Sequence, residues 1–194
     1  MAHIDLKNNE PGIRGPMAYS PETAKPLNEL AEILLRNENN SLTRGERELI
    51  GTYVSYLNDC FFCQNVHGAM AGFYMDCSIE EIDAIKNNFN QSDLTDKMKV
   101  LLSIAASVQK GGKCVSITQV NDAKNYGATD KEIHDTVLIA AAFCMFNRYV
   151  DGLATHAPAD MNSYPLRAKQ VAENGYGNHI YTSPQPVSPD KVIL

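Results

Sequence analysis

The feature that most constrains this chain is the distribution of its prolines. All nine prolines lie outside residues 27–157, with four before that interval and five after it. Proline breaks the interior of a helix, because its ring clashes with the preceding turn and it lacks the backbone N–H. The sequence therefore predicts a helical body over residues 27–157, an extended N-terminal arm over residues 1–26 and an extended C-terminal arm over residues 158–194.

Within the body, apolar residues recur with a helical period. One such stripe is formed by Leu49, Ile50, Tyr53, Val54 and Leu57, and no segment alternates as a half-buried strand would. Capping-box sequences, in which a Ser or Thr hydroxyl and a Glu carboxylate satisfy free backbone donors at a helix start, begin at Thr43, Ser78 and Thr129. We expect an all-α fold of about seven helices.

Length and charge narrow the class of protein. The chain has 194 residues and a net charge of -6, so we expect one soluble domain with extensions. No stretch concentrates Lys and Arg, which disfavours nucleic acid as a partner. No uncharged apolar run approaches the roughly 20 residues of a membrane span, and the first residues lack the order of a secretory signal. We expect a cytoplasmic protein without a membrane partner.

The cysteines are five in number, Cys60, Cys63, Cys77, Cys114 and Cys144. An odd number in a chain without a secretory signal does not indicate a disulfide scaffold. Only the first two form a motif. We expect the other three to be small core residues or inert thiols, because free cysteine is among the most buried residue types.

The chemistry concentrates in residues 58–67. Asn58 and Asp59 are good N-cap residues, so we expect a new helix there with Cys60 in its first turn. Free backbone N–H groups and the helix dipole at that position stabilise a thiolate. Cys60, Cys63 and His67 are spaced three and four apart, which places them on one helix face. They can therefore react with one another, and the imidazole can take a thiol proton.

Glu48 is relevant to this cluster only if the chain turns back on itself. It lies twelve residues before Cys60, and one continuous helix would separate the two by roughly 18 Å. A reversal at Asn58 and Asp59 would instead bring Glu48 level with His67 on an antiparallel helix. Otherwise Glu48 is an ordinary solvated carboxylate.

An alternative for the same residues is a zinc site. Cys60, Cys63 and His67 could supply three zinc ligands, with Cys77 or Cys114 as the fourth. Against this, consecutive turns of one helix seldom complete a tetrahedron, and the sequence has no second CxxC motif. We therefore expect neither a metal nor a cofactor.

Together the residues form a recognisable pattern. The order E-x11-C-x2-C-x3-H, made by Glu48, Cys60, Cys63 and His67, resembles the active-site signature of the alkylhydroperoxidase D-like branch of the carboxymuconolactone decarboxylase superfamily. Residues 127–133 resemble a helix start common in that superfamily, and residues 146–153 resemble a segment of its peroxidase-related subgroup.

The resemblance implies an all-helical, homo-oligomeric thiol peroxidase that reduces alkyl hydroperoxides. By position, Cys63 matches the cysteine oxidised to sulfenic acid, Cys60 the proton donor and resolving partner, and Glu48 and His67 the proton relay. An external dithiol of the lipoamide or thioredoxin type would restore the enzyme. One departure is Phe62, which stands where some members have a second relay histidine.

Other functions within this resemblance remain open. They are a disulfide oxidoreductase without peroxidase activity, an enzyme like the lactone decarboxylases, and a binding or scaffold protein. For the assembly, we expect a dimer, trimer or hexamer. The segment from Ile133 to Leu153 is apolar on nearly every side, and the arms carry apolar residues without helical period, so we expect the arms to cross onto neighbouring subunits.

Overall fold

The computed structural model describes residues 2–177, which form nine α-helices, two short 3-10 helices and no strand. The predicted all-α class is confirmed. The α-helices are α1 Arg14–Tyr19, α2 Pro21–Arg36, α3 Arg44–Leu57, α4 Phe61–Met75, α5 Ile79–Asn88, α6 Asp96–Lys110, α7 Ile117–Asn125, α8 Asp130–Gly152 and α9 Ser163–Asn174. The 3-10 helices are Phe89–Gln91 and Gly112–Cys114.

The helix starts predicted from capping boxes are correct. Thr43, Ser78 and Thr129 are the N-caps of α3, α5 and α8, and each accepts a hydrogen bond from the backbone of a Glu three residues later. That Glu side chain in turn accepts from the N-cap backbone. The two bonds satisfy donors that have no partner within the helix. A short local pattern therefore determines where three of the helices begin.

The two terminal segments differ from the expected extended arms. Residues 14–26 hold α1 and the first part of α2, and the described part of the C-terminal segment holds α9. Pro21 is the first residue of α2 and Pro165 lies in the first turn of α9. Prolines are tolerated there because the missing N–H would have no intrahelical partner. Residues 178–194 of the predicted C-terminal arm lie outside the described residues.

Helices α3, α6 and α8 contact one another at the centre of the molecule. The largest buried apolar cluster is built on them and on α2, and includes Leu35, Leu49, Leu101, Ile139 and Phe143. A second buried cluster lies between α4 and α9; it contains Cys60, Phe62, Cys63, Val66, Met70, Val150, Tyr164, Ala168 and Val171. The described C-terminal segment therefore packs on α4 of its own chain, beside both motif cysteines.

Helix α8 is not buried all round within one chain. Ile139, Phe143 and Phe146 are buried, whereas Leu138 and Met145 are 39% and 43% exposed. The two exposed residues are seven apart and lie on a different face of the helix from the buried ones. This largely apolar helix therefore keeps one exposed apolar face within the single chain.

Among residues 2–177, no helix is both long and apolar enough to cross a membrane.

A tight reversal connects α3 to α4. Asn58 ends α3, Asp59 has a left-handed φ of 57°, and Cys60 is the extended N-cap of α4. The Cys60 backbone N–H donates to the carbonyl of Ser55 at 3.0 Å. The predicted reversal is present, but Asn58 and Asp59 do not cap α4, and Cys60 precedes the first turn. Asp59 forms the turn in its left-handed conformation, so the N-cap of α4 is Cys60 and not Asp59.

Gly51 on α3 allows a close approach of α8. A Cβ added at Gly51 would lie 2.3 Å from Cζ of Phe143, a side chain that is 1% exposed. The Phe143 ring meets the His67 ring edge-on with 4.6 Å between ring centroids. The absence of a side chain at position 51 therefore determines how closely α3 and α8 pack beside His67.

We predict that Gly51→Ala lowers the free energy of unfolding by about 1–3 kcal/mol, because the extra methyl group overpacks this contact. Gly152→Ala is the matched control, since an added Cβ there meets nothing within 4 Å. Urea denaturation followed by circular dichroism measures both variants. Equal stabilities of the two variants would show that Phe143 moves aside without cost.

Candidate active site

The candidate site is organised by a contact between α3 and α4. Oε2 of Glu48 lies 2.7 Å from Nδ1 of His67, although the two residues are nineteen positions apart. The reversal at Asp59 makes this possible, because it places α4 beside α3 in the opposite direction. A carboxylate at Nδ1 orients an imidazole and determines which ring nitrogen carries the proton.

The Glu48 side chain is completely buried, with 0% exposure. The alternative of a solvated helix carboxylate is therefore wrong. Arg44 and Arg47, its basic neighbours in sequence, bind elsewhere: Arg44 pairs with Glu38, and Arg47 donates to the carbonyl of Leu34 at 3.2 Å. A carboxylate removed from water is costly unless hydrogen bonds replace the lost hydration, so the partners of Glu48 are essential to it.

Tyr176 supplies the second partner of Glu48. Its hydroxyl donates to Oε1 of Glu48 at 2.6 Å and lies 3.4 Å from Nδ1 of His67. Its backbone N–H is anchored by Oε2 of Glu32 at 2.9 Å. Burial, followed by the Glu48 carboxylate, raises the pKa of Tyr176 well above its usual range. The phenol therefore stays protonated and donates a hydrogen bond to Glu48. Both carboxylate oxygens of Glu48 then have a hydrogen-bond partner.

The two motif cysteines lie at the start of α4. Cys60 is its N-cap and Cys63 lies in its first turn. Both thiols are free and buried, and they share a hydrogen bond. This bond to Cys60, together with burial, raises the pKa of Cys63 well above its usual range. The thiolate stabilisation that the sequence predicts at Cys60, at the start of this helix, is not found at Cys63, because contact with a second sulfur and burial act against it.

Two polar residues of α8 contact the cysteines. Asn147, which is 1% exposed, hydrogen-bonds Cys63 and thereby opposes the rise in its pKa. The Asn147 amide also donates to Oγ of Ser55 at 3.0 Å. Asp151 hydrogen-bonds Cys60, and burial raises the pKa of Asp151. The thiol pair is therefore enclosed by α8 as well as by α3.

A cavity of about 60 Å³ opens onto this group. Cys63, His67 and Tyr176 line it, and most of the remaining wall is apolar, including Phe143 and Phe146. The completely buried Cys60 does not line it. Of the two cysteines, Cys63 is thus the one that a small molecule in the cavity can reach, with the sulfur of Cys60 behind it.

Sequence analysis missed Asn147, Asp151 and Tyr176 as site residues. Asn147 and Asp151 are spaced four apart directly after the apolar run of residues 137–146, so their polarity could have drawn attention to them. Nothing in the sequence around Tyr176 points to the site. Its role depends on how α9 folds back onto α4.

The three cysteines outside the motif are Cys77, Cys114 and Cys144. Cys77 and Cys144 are half-buried, but Cys114 is exposed in a 3-10 helix. Of the two expected roles, core residue or inert thiol, this exposure excludes the core position for Cys114. Over residues 2–177, no three His, Cys, Asp or Glu side chains are arranged to hold a metal ion. The four-ligand zinc set that included Cys77 or Cys114 is not assembled.

Comparison with known families identifies the family to which the chain belongs. The sequence model of the carboxymuconolactone decarboxylase family matches residues 21–88 and again residues 83–155, which together span most of the chain. The chain belongs to this family. The first match covers α2 to α5 with the Glu48, Cys60, Cys63 and His67 group, and the second covers α6 to α8.

Solved structures of peroxidase-related proteins share the fold. An uncharacterized peroxidase-related protein with an alkylhydroperoxidase AhpD core, from Ralstonia eutropha JMP134, is 24% identical, with a TM-score of 0.71 and 78% of each chain covered. An uncharacterized peroxidase-related protein from Silicibacter sp. TM1040 is 23% identical, with a TM-score of 0.71, over 80% of this chain and 78% of that one.

A third structure is more distant. A protein of unknown function from Agrobacterium tumefaciens is 20% identical, with a TM-score of 0.63, over 75% of this chain and 97% of that one. A search of curated proteins returns no significant match. These similarities establish the alkylhydroperoxidase D-like fold, and the chemistry has to be argued from the site itself.

We predict that Tyr176→Phe lowers the free energy of unfolding by about 1–3 kcal/mol, because it leaves one oxygen of a fully buried carboxyl group without a donor. Tyr126→Phe is the matched control, since that ring is 53% exposed. Chemical denaturation at neutral pH compares the two. If both variants are as stable as the wild type, the Tyr176 hydroxyl does not contribute to holding Glu48.

Proposed function

We propose that this protein is a thiol peroxidase that reduces hydroperoxides through a disulfide cycle of Cys63 and Cys60. Cys63 attacks the peroxide, Cys60 resolves the product, and Glu48 and His67 move the proton. An external dithiol completes the cycle. Family membership supports an enzyme of this class but does not select the reaction, so the proposal rests on the site.

One observation carries the proposal. Cys63 and His67 face the same cavity, while Cys60 lies behind Cys63 within hydrogen-bond contact and out of reach of the cavity. A peroxide needs one accessible sulfur and a base, and a resolving thiol needs contact with that sulfur and not with the substrate. This arrangement meets both requirements.

The cycle balances in three steps. The Cys63 thiolate attacks the terminal peroxide oxygen, the O–O bond breaks, and the departing alkoxide takes a proton to leave as an alcohol. The Cys60 sulfur then attacks the Cys63 sulfenic acid, forming the disulfide and releasing water. An external dithiol reduces the disulfide and is itself oxidised to a disulfide. Two electrons pass from the dithiol to the peroxide in each turn.

The Glu48 and His67 pair provides the base. Because the pKa of Cys63 is raised, its thiol is not ionised in advance and needs a base for attack. When Nδ1 of His67 donates to Glu48, Nε2 carries the free electron pair that accepts the Cys63 proton. The same imidazolium then protonates the departing alkoxide. Tyr176 acts through Glu48, so it is a positioning residue.

This cycle requires no resident metal or cofactor. We propose a reductant of the lipoamide or thioredoxin type, because both deliver two thiols to a disulfide. We place the protein in the cytosol, where thiols are kept reduced. Phe62, which is 8% exposed, stands where some relatives have a second histidine, and the single imidazole of His67 therefore carries the relay alone.

A second candidate is a disulfide oxidoreductase that does not use peroxide. The contact between Cys60 and Cys63 favours it, because thiol–disulfide exchange requires two adjacent thiols and no other group of the site. This reaction uses Cys60 and Cys63 but needs no peroxide. A lactone decarboxylase-like reaction would use Glu48 and His67 without any change at the cysteines.

We predict that an alkyl hydroperoxide removes two titratable thiols from the wild-type protein and none from Cys63→Ser. In Cys60→Ser the Cys63 sulfenic acid forms but is not resolved, so a sulfenic-acid trapping reagent labels Cys63. Thiol titration and mass spectrometry of the Cys63 peptide measure these changes.

Cys114→Ser is the matched control for this prediction, because Cys114 is exposed and lies outside the site. It should still lose two thiols. Two-thiol loss in both Cys60→Ser and Cys63→Ser would refute the peroxidase assignment. Formation of the disulfide with a small disulfide reagent but not with peroxide would select the oxidoreductase instead.

We also propose a homo-oligomer, a dimer, trimer or hexamer, in which α8 contributes to the interface. Leu138 and Met145 form an exposed apolar stripe on α8, and a second copy would remove it from water. The described part of the C-terminal segment packs on α4 of its own chain, so the interface proposed here does not need it.

We predict that light scattering returns a multiple of 21.4 kDa and that Met145→Glu shifts the mass towards one chain, because it places a charge in the interface. Ile117→Glu is the control on another helix, at a side chain that is 73% exposed. A wild-type protein that is monomeric at micromolar concentration would contradict the proposal.

A further inference from the structure

A second cavity adjoins the one at Cys63. Its volume is about 180 Å³, against about 60 Å³ for the inner cavity. Arg14, Phe62, Val66 and Arg167 line both. The two cavities therefore adjoin along these four residues, and all four lie in the wall of the inner cavity together with Cys63.

The formally charged side chains that line the two cavities are all positive. The walls of the two cavities, among the residues the structure describes, include Arg14 and Arg167 and contain no Asp or Glu. The chain as a whole carries a net charge of -6. Two arginines without a carboxylate in the wall are therefore a local departure from an acidic protein. Guanidinium groups bind carboxylates with paired, charge-assisted hydrogen bonds.

The ion pair of Arg14 leaves it able to bind a ligand. Its Nη2 lies 2.8 Å from Oε2 of Glu10, a side chain that is 49% exposed. Partly exposed ion pairs of this kind contribute little to stability, and a guanidinium has further N–H donors. A ligand carboxylate can therefore bind Arg14 beside Glu10 or displace it at small cost.

Arg167 and Tyr176 lie in the wall of the same inner cavity. The positive charge of Arg167 works against the rise in the pKa of Tyr176, the residue that holds Glu48. Arg167 is thus close enough for its field to reach the candidate catalytic group. A negatively charged ligand group beside Arg167 would lie near the cavity that contains Cys63.

Both arginines belong to parts of the chain outside the family match. The match spans residues 21–155, whereas Arg14 begins α1 and Arg167 lies on α9. The reactive group lies within the matched helices, and the two positive charges lie on segments outside the match. Such an arrangement suits a substrate preference added to a common chemistry.

We infer that Arg14 and Arg167 bind the anionic end of an amphipathic substrate, so that this site takes hydroperoxides of carboxylic acids in preference to neutral ones. The apolar body of the substrate lies along Phe62 and Val66, and its peroxide reaches Cys63. The reaction is that of the proposed function, on which this inference about the substrate rests.

The kinetic test uses a medium-chain linear hydroperoxide that ends in a carboxylate, together with its methyl ester. We expect the wild type to have the higher kcat/KM for the acid. Arg167→Gln and Arg14→Gln should each lower the ratio of acid to ester kcat/KM by roughly tenfold, as expected for the loss of a charge-assisted hydrogen bond. Lys169→Gln, on the same helix but outside both cavities, is the matched charge control.

A binding test separates this inference from the peroxidase assignment. A saturated medium-chain fatty acid, which cannot be reduced, should protect Cys63 from alkylation in the wild type, and its methyl ester should protect less. Mass spectrometry of the Cys63 peptide gives the rate, and Arg167→Gln should abolish the difference between acid and ester.

The outcomes are distinct. Equal protection by acid and ester, or an unchanged acid to ester ratio in both arginine variants, would overturn the anionic-substrate inference. Protection by the acid in a protein that reduces neither hydroperoxide would retain the anion site and overturn the peroxidase assignment.

Discussion

The candidate site depends on the burial of one carboxyl group. Glu48 has no contact with water, and its two oxygens are bonded to His67 and Tyr176 at 2.7 and 2.6 Å. For Glu48 to be buried with these two partners, α3, α4 and the residues that follow α9 must meet at one point. Because an unpartnered buried carboxylate is costly, the same bonds that orient the imidazole also hold these segments together.

The cysteine pair shows how tertiary structure changes a local electrostatic argument. The start of α4 offers free N–H groups, which by themselves favour a thiolate. Burial and the hydrogen bond to Cys60 act in the other direction and dominate, so the pKa of Cys63 rises. Asn147 of α8 offsets only part of this. The resulting dithiol is stable until a base acts on it, which gives the neighbouring imidazole its proposed chemical role.

The family match and the site do not cover the same residues. The match ends at residue 155, yet Tyr176 follows α9 and completes the environment of Glu48. The shared helices supply the cysteines, the imidazole and the carboxylate, whereas α1 and α9 close the cavity around them. The family match therefore identifies the reactive group, whereas residues outside the match, such as Tyr176, complete its surroundings in this chain.

Local patterns in the sequence determined the helix starts and the reactive residues. The capping boxes at Thr43, Ser78 and Thr129 act over four residues, and the helical spacing of Cys63 and His67 acts within one helix, so both can be recognised without a fold. The helical character of the terminal segments was missed, because every proline was read as a sign of extended chain, whereas Pro21 begins α2, Pro26 lies inside it and Pro165 lies in the first turn of α9. Only the tertiary structure decided that Glu48 is buried, that Cys63 rather than Cys60 faces the cavity, and that Tyr176 joins the site. Those features depend on contacts between residues as many as 128 positions apart, and burial and hydrogen-bond partners at that separation arise only when the helices pack.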